Sequence, residues 1–356
     1  MPNLDRAMQF FLHAIANPSV TEDDLNEAAS SVLAAVQTCS STEPLDRSLH
    51  SLLSVFDLED RDRATLVAMV CGILVKWGGN SMIVTAALIE RLQPLLEESV
   101  QLHDACTSRM PEPQEDDDPI EQFETIKAQL TGQMPNEIAA WDSLQTFWQP
   151  AIAIFSASSE ARHTAQFLRP MAQTIAGYHE GGHWLQCILA VLDNEPILVI
   201  EPEKRLGIIG QMSGIAGNFQ LQVFLMNIFP RSGLFKSRRV SQRVVEVARG
   251  RGSPQSNDTV EGAWNLYSWQ ALQPNLTLPD PNDYNASHLW IWGEGVPDDI
   301  PVFEGHRVIL LGAPSYSRTW QSQRLFCDLR AKIDRVRRLS TEEIDNWLQR
   351  ISRATP

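Results

Sequence analysis

The chain has 356 residues, 43% hydrophobic and 21% charged, which is enough apolar material for two or three domains with cores of their own. Its formal net charge of -15 argues against nonspecific binding of nucleic acid or of an anionic membrane by the molecule as a whole. The five cysteines (Cys39, Cys71, Cys106, Cys187, Cys327) show no CxxC spacing, so neither a disulfide framework nor a cysteine zinc site is indicated, and a reducing, cytoplasmic location is expected. Met1 to Ala16 lack the basic segment and long apolar run of a secretory signal, and the longest apolar run, Leu66 to Val75, is too short to span a bilayer.

The first third reads as helix. Thr21 with Asp24 forms a variant capping box ahead of Leu25, Ala28, Val32 and Val36, whose three-and-four spacing marks an amphipathic helix. Further helices are expected over Leu45 to Phe56, Arg63 to Trp77 and Ser81 to His103, separated by short polar or Gly-rich breaks. A bundle over residues 1–110 would bury their apolar faces. Residues 111–119, from Pro111 to Pro119, combine three prolines with five acidic residues and read as a solvated linker.

Residues 120–252 form a central unit. Helices are expected at Ile120 to Leu130, at Glu137 to Phe155 and over Arg162 to Leu192, the last broken or kinked near Pro170. Ile197 to Ile200 and Leu206 to Met212 predict two short strands joined by the turn Glu201 to Arg205, and Phe219 to Phe229 returns to a helical pattern. Residues 253–356 are a Trp-rich portion, in one domain with the central unit or separate from it. Strands are expected at His288 to Trp292 and Arg307 to Leu311, and Ser340 with Glu343 forms a capping box before a last helix with Ile344, Trp347, Leu348 and Ile351 on its apolar face. The predicted fold class is therefore α+β, mainly α: an N-terminal helical bundle, a central helix, β-hairpin and helix unit, and a Trp-rich α+β portion.

One stretch carries chemistry, Tyr178-His179-Glu180-Gly181-Gly182-His183-Trp184. If it is helical, His179 and His183 lie one turn apart on one face, where two imidazoles can share a metal ion while Glu180 acts on a metal-bound water. This HExxH spacing resembles the zincin signature, a motif-level likeness over five residues. It implies a zinc-dependent peptidase or hydrolase with His179 and His183 as ligands, Glu180 as general base and a protein or peptide as substrate. For the third ligand the preference is Glu203, in the predicted hairpin turn. The alternative is a non-enzymatic helical interaction or regulatory protein in which the HEGGH helix is a packing element. There Gly177 and Gly181, four apart, make a flat face for a neighbouring helix while the histidines are hydrogen-bonded in the core.

Other chemistries are less well supported. No GxSxG, GxxxxGK[ST] or GxGxxG motif is present in its required context. Cys187 lies one helical turn beyond His183, an arrangement in which the imidazole could activate a thiol, although a cysteine beside an apolar face is more often inert. Two basic islands interrupt the acidic background: Arg231, Lys236, Arg238, Arg239, Arg243, Arg249 and Arg251, then Arg318, Arg324, Arg330, Lys332, Arg335, Arg337 and Arg338. With the tryptophans they could hold single-stranded nucleic acid, but solvated helix faces and core fillers are the stronger expectation. The first island is also a possible dock for Glu115 to Asp118 of the linker.

Overall fold

The computed structural model describes residues 3–112, 118–229 and 240–354. The chain divides into two compact units, Met1–Leu189 and Ala190–Pro356. The HEGGH helix therefore belongs with the preceding helices, and the hairpin belongs with the Trp-rich portion. The fold class is α+β and mainly α, as the patterning indicates.

Among the described residues the first unit contains helices and no strand. Its elements are α1 (Leu4–Ala16), α2 (Glu22–Val36), α3 (Glu43–Leu52), α4 (Arg61–Lys76), α5 (Met82–Thr107), α6 (Pro119–Leu130), α7 (Pro135–Ala157), α8 (Ser159–Thr164), α9 (Arg169–Ile175) and α10 (Glu180–Leu189). Thr21 caps α2 by accepting from the Asp24 N–H at 3.3 Å, while the Asp24 carboxylate takes the Thr21 hydroxyl instead of reaching back to the backbone. Asp118, the last acid of the linker, caps α6 and precedes Pro119 at its first position. The long helix α7 packs against α4, α5 and α10. Ala140, Trp141, Leu144, Phe147, Ala151, Ile154 and Phe155 on α7 are buried. Gly72 of α4 lets that helix come close, since a Cβ there would lie 3.2 Å from the Pro150 Cα.

The expected helix over Arg162 to Leu192 is in fact three helices, α8, α9 and α10, with breaks near Gln166 and at Ala176–His179. The second break falls inside the motif, and its cause is local. Gly177 weakens helix continuation, and the His179 side chain closes the start of α10 (below).

The second unit is built on a mixed sheet. Its strands are β1 (Glu195–Glu201) and β2 (Leu206–Ser213), then after α11 (Asn218–Ile228) and α12 (Gln242–Ala248) come β3 (Gln255–Glu261), β4 (Asn265–Ser268), β5 (Val302–Phe303), β6 (His306–Gly312), β7 (Thr319–Gln323) and β8 (Lys332–Arg338) before the last helix α13 (Thr341–Ala354). The main sheet runs β4-β6-β1-β2-β8, with β5 also on β6, while β3 and β7 pair separately. β1 and β2 form the predicted antiparallel hairpin, and β1 lies parallel to β6 in register from Ile197 with Arg307 to Ile200 with Leu310.

Both faces of this sheet are covered, which is why β1 and β6 read as unbroken apolar runs. Ile197, Val199, Ile309 and Leu311 join a core with Leu221, Phe224 and Leu225 of α11 and Val244 and Val245 of α12. Leu198, Ile200, Val308 and Leu310 face the other way, onto Ile344, Leu348 and Ile351 of α13. The Ser340 capping box is complete: the Ser340 N–H donates to Glu343 Oε2 at 2.8 Å, and the Glu343 N–H to Ser340 Oγ at 3.2 Å. Arg307, mostly buried, joins Glu195 and Asp298 at 2.8 and 2.7 Å and fixes one end of the sheet.

Two expectations are corrected here. His288 to Trp292 is not a strand: a 3-10 turn covers Tyr284–Leu289, followed by a single bridge from Trp290 to Tyr267. The second basic run is not a helix face, because Lys332–Arg338 form the edge strand β8, where outward charges discourage further strand pairing.

Candidate functional site

His179 sits at the N-cap of α10. Its carbonyl accepts the first helical bond, from the His183 N–H at 3.0 Å, and its Nδ1 accepts from the Gly182 N–H at 3.2 Å. On the other side of the ring, Nε2–H donates to the Trp141 carbonyl of α7 at 2.9 Å. A carbonyl only accepts and an amide N–H only donates, so the two partners select the neutral Nε2–H tautomer. The residue is 2% exposed. Burial holds its pKa below the ordinary imidazole value, aided by the nearby Lys127 charge and opposed by the Trp141 hydrogen bond.

Aromatic rings surround it. The His179 ring meets Trp141 edge-on at 4.6 Å, Trp141 stacks on Phe123 at 5.0 Å, and Phe123 stacks on Tyr178 at 4.7 Å. The glycines make this packing possible. A Cβ on Gly181 would lie 2.8 Å from both the Leu144 carbonyl oxygen and Trp148 Cδ1, and one on Gly182 would lie 2.5 Å from Ile175 Cγ1. The close-approach pair is thus Gly181 with Gly182, wedged between α7 and α9. Gly177, expected to share that face, has nothing within 4 Å of its Cβ position.

Within the helical unit, neither the Glu180 nor the His183 side chain is bonded to the His179 ring. His183 is exposed, with its ring against Trp184 and its Nε2 3.9 Å from Cys187 Sγ. Glu180, at the first position of α10 where a carboxylate suits the helix dipole, accepts the Trp184 indole N–H at 3.2 Å. Glu203 is exposed in the turn between β1 and β2 of the second unit. Among the described residues no group of three or more His, Cys, Asp or Glu is placed to hold a metal ion. A zinc ion on His179 would have to displace the Gly182 N–H from Nδ1 or take the proton that serves the Trp141 carbonyl, leaving an interior backbone group without its partner. The residues as arranged do not fit the ion. The Cys187 thiol is within reach of His183, but burial pushes its pKa up against the pull of Arg169, which lowers the thiolate fraction a nucleophile needs.

The second unit contains two arrangements that single-residue patterns did not reveal. Arg318 lies beside Trp292 and Tyr316, its guanidinium 5.3 Å from each ring centroid and donating to the Tyr316 hydroxyl, and both aromatic residues are 42% exposed. The two basic islands also meet, since the Ala331 N–H donates to the Arg249 carbonyl at 3.3 Å. The charge reversals marked these residues, but their pairing requires the register of β8. Arg231, Lys236, Arg238 and Arg239 of the first island, and Glu115, Asp116 and Asp117 of the linker, lie outside the described residues, and with them the supposed docking of one on the other.

No helix among the described residues is long and apolar enough to cross a membrane. No family model matches the chain, nor does any curated protein or solved structure.

Proposed function

We propose that the chain is a non-enzymatic interaction or regulatory protein, in which the HEGGH helix is a packing element of the helical unit. The observation that carries this reading is His179, whose two ring nitrogens are both committed to backbone groups in the interior. An imidazole used in this way is an N-cap and a tie between α10 and α7, and its conversion to a metal ligand would cost the hydrogen bonds that order the helix start. The partner-facing side of the reading rests on the second unit, where Trp292, Tyr316 and Arg318 are presented at the surface. These are the residue types on which binding energy concentrates in interfaces.

The test is elemental analysis of tag-free protein, wild type beside His183→Ala, together with peptide hydrolysis by wild type and Glu180→Gln. The expected result is zinc far below one per chain and no hydrolysis that depends on Glu180. One zinc per chain that disappears in His183→Ala, with hydrolysis lost in Glu180→Gln, would overturn the proposal in favour of a zinc-dependent peptidase. On the binding side, association with a partner should be lost in Trp292→Ala and kept in His183→Ala.

A further inference from the structure

The turn after α12 is a Schellman motif. The Arg251 N–H donates to the Glu246 carbonyl at 2.9 Å and the Gly250 N–H to the Val247 carbonyl at 3.0 Å, with Gly250 at a φ of 80°. Only glycine fits there, because a Cβ would lie 2.2 Å from the Leu329 carbonyl oxygen. That contact presses the turn against the segment leading into β8, and Arg330 Nη1 donates to the Gly250 carbonyl across the junction. Between the two segments lies a recess of about 660 Å³ lined by Arg249, Arg251, Gly252, Arg330, Ala331 and Lys332.

Four of those six lining residues are cationic and none is acidic. Glu246 behind them takes Arg249 on one oxygen at 3.0 Å and Arg251 on the other at 3.2 Å, which orients both guanidinium groups. Lys332 pairs with Asp334. Glu246 and Asp334 offset two of the four lining cations, Asp328 stands against Arg324 behind them, and the recess stays positive. The helix end would by itself repel an anion through its carbonyls. Here those carbonyls are covered: Arg324 donates to the carbonyls of Val247, Arg251, Gly252 and Ser253, and Arg330 covers Gly250.

We propose that this recess binds a small ligand carrying two or more linked phosphate groups, of the size of a nucleoside di- or triphosphate. Arg249, Arg251 and Arg330 each commit one Nη1, to Glu246 or to the Gly250 carbonyl, and their other N–H groups can be offered to phosphate oxygens, while Lys332, held by an exposed pairing with Asp334, adds a point charge. The recess is shallow and open to solvent, which suits a phosphate chain held by its charge with the rest of the ligand outside. The inference is independent of the reading of the HEGGH helix.

The test is calorimetric titration of the full chain, free of metal and at constant ionic strength, with inorganic phosphate, pyrophosphate and ATP. The double variant Arg251→Gln with Lys332→Gln serves as control, since both side chains are largely exposed and their loss leaves the turn's backbone bonds in place. Pyrophosphate is expected to bind at least about tenfold more tightly than phosphate, and the double variant to weaken it by about tenfold or more with unchanged circular dichroism. ATP binding like pyrophosphate would show that the phosphate chain is the recognised part. Equal binding by wild type and variant, or no heat from pyrophosphate or ATP up to roughly millimolar concentration, overturns the proposal. A single-stranded oligonucleotide that binds and is not displaced by pyrophosphate would overturn it in favour of a nucleic-acid surface.

Discussion

The helical unit carries 10 Lys and Arg against 26 Asp and Glu, whereas the sheet-containing unit carries 19 against 18. The two also use their polar side chains differently. In the helical unit His179 is turned inward and spends both nitrogens on backbone groups among aromatic rings, while Glu180 and His183 stay outside. In the sheet unit the arginines that look like a diffuse basic background are drawn together by a glycine turn and a strand edge, and several remain accessible. A motif match is therefore a statement about side-chain types. Whether those side chains are available depends on which backbone groups claim them first.

If the start of α10 is a packing junction, filling its glycines should produce the largest effect. Gly181→Val places atoms against the Leu144 carbonyl, which is α7 backbone and cannot withdraw without moving that helix, and against the Trp148 ring. A loss of about 3 kcal/mol in urea unfolding is expected, the upper range for overpacking. His179→Ala should follow closely, at roughly 2–3 kcal/mol, from a lost cap and an orphaned interior carbonyl. His183→Ala, on the exposed side of the same helix, should stay within about 0.5 kcal/mol. Equal losses from the two histidine variants would break the distinction between inward and outward halves of the motif.

The buried imidazole also predicts a pH dependence. Its pKa is lowered by folding, so above the ordinary value near 6.5 it is neutral in both folded and unfolded chains and contributes its full stability. As pH falls below about 6.5 the unfolded chain takes up the proton first, and stability drops by up to about 1.4 kcal/mol per pH unit until the folded-state pKa is reached. His179→Gln retains one acceptor and one donor but cannot titrate. The difference in unfolding free energy between wild type and this variant should shrink or reverse from pH 7.5 to pH 5.5, and parallel profiles would refute the assignment.

Much of the fold was legible because its signals are local. The helix patterns from Leu25 to Phe155, the β1 and β2 hairpin around Glu201 to Arg205 and the Ser340 capping box each rest on residues within a few positions of one another. What was not legible depends on distant partners. β8 carries a helix-compatible run of charges, and only pairing with β2 makes Lys332–Arg338 a strand. The break at His179 was hidden for the same reason. His at an N-cap is not among the preferred residues, and the Trp141 carbonyl that fixes its ring comes from 38 residues upstream. Spacing alone placed His179 and His183 on one helical face, but the helix begins between them.

The contrast between units is sharpened by the smaller effects expected in the second one. Ser340→Ala removes a cap acceptor at the start of α13 and should cost about 1 kcal/mol, read as a lower urea midpoint with the slope unchanged. Arg251→Gln should cost less still, within about 0.5 kcal/mol, because its pairing with Glu246 is mostly solvent-exposed and Arg249 continues to hold the same carboxylate. A variant that is silent in unfolding yet weakens pyrophosphate binding would show that the basic cluster is kept for a ligand. Should Arg251→Gln instead cost as much as His179→Ala, the cluster would have to be regarded like the HEGGH junction, as charge committed to the fold itself.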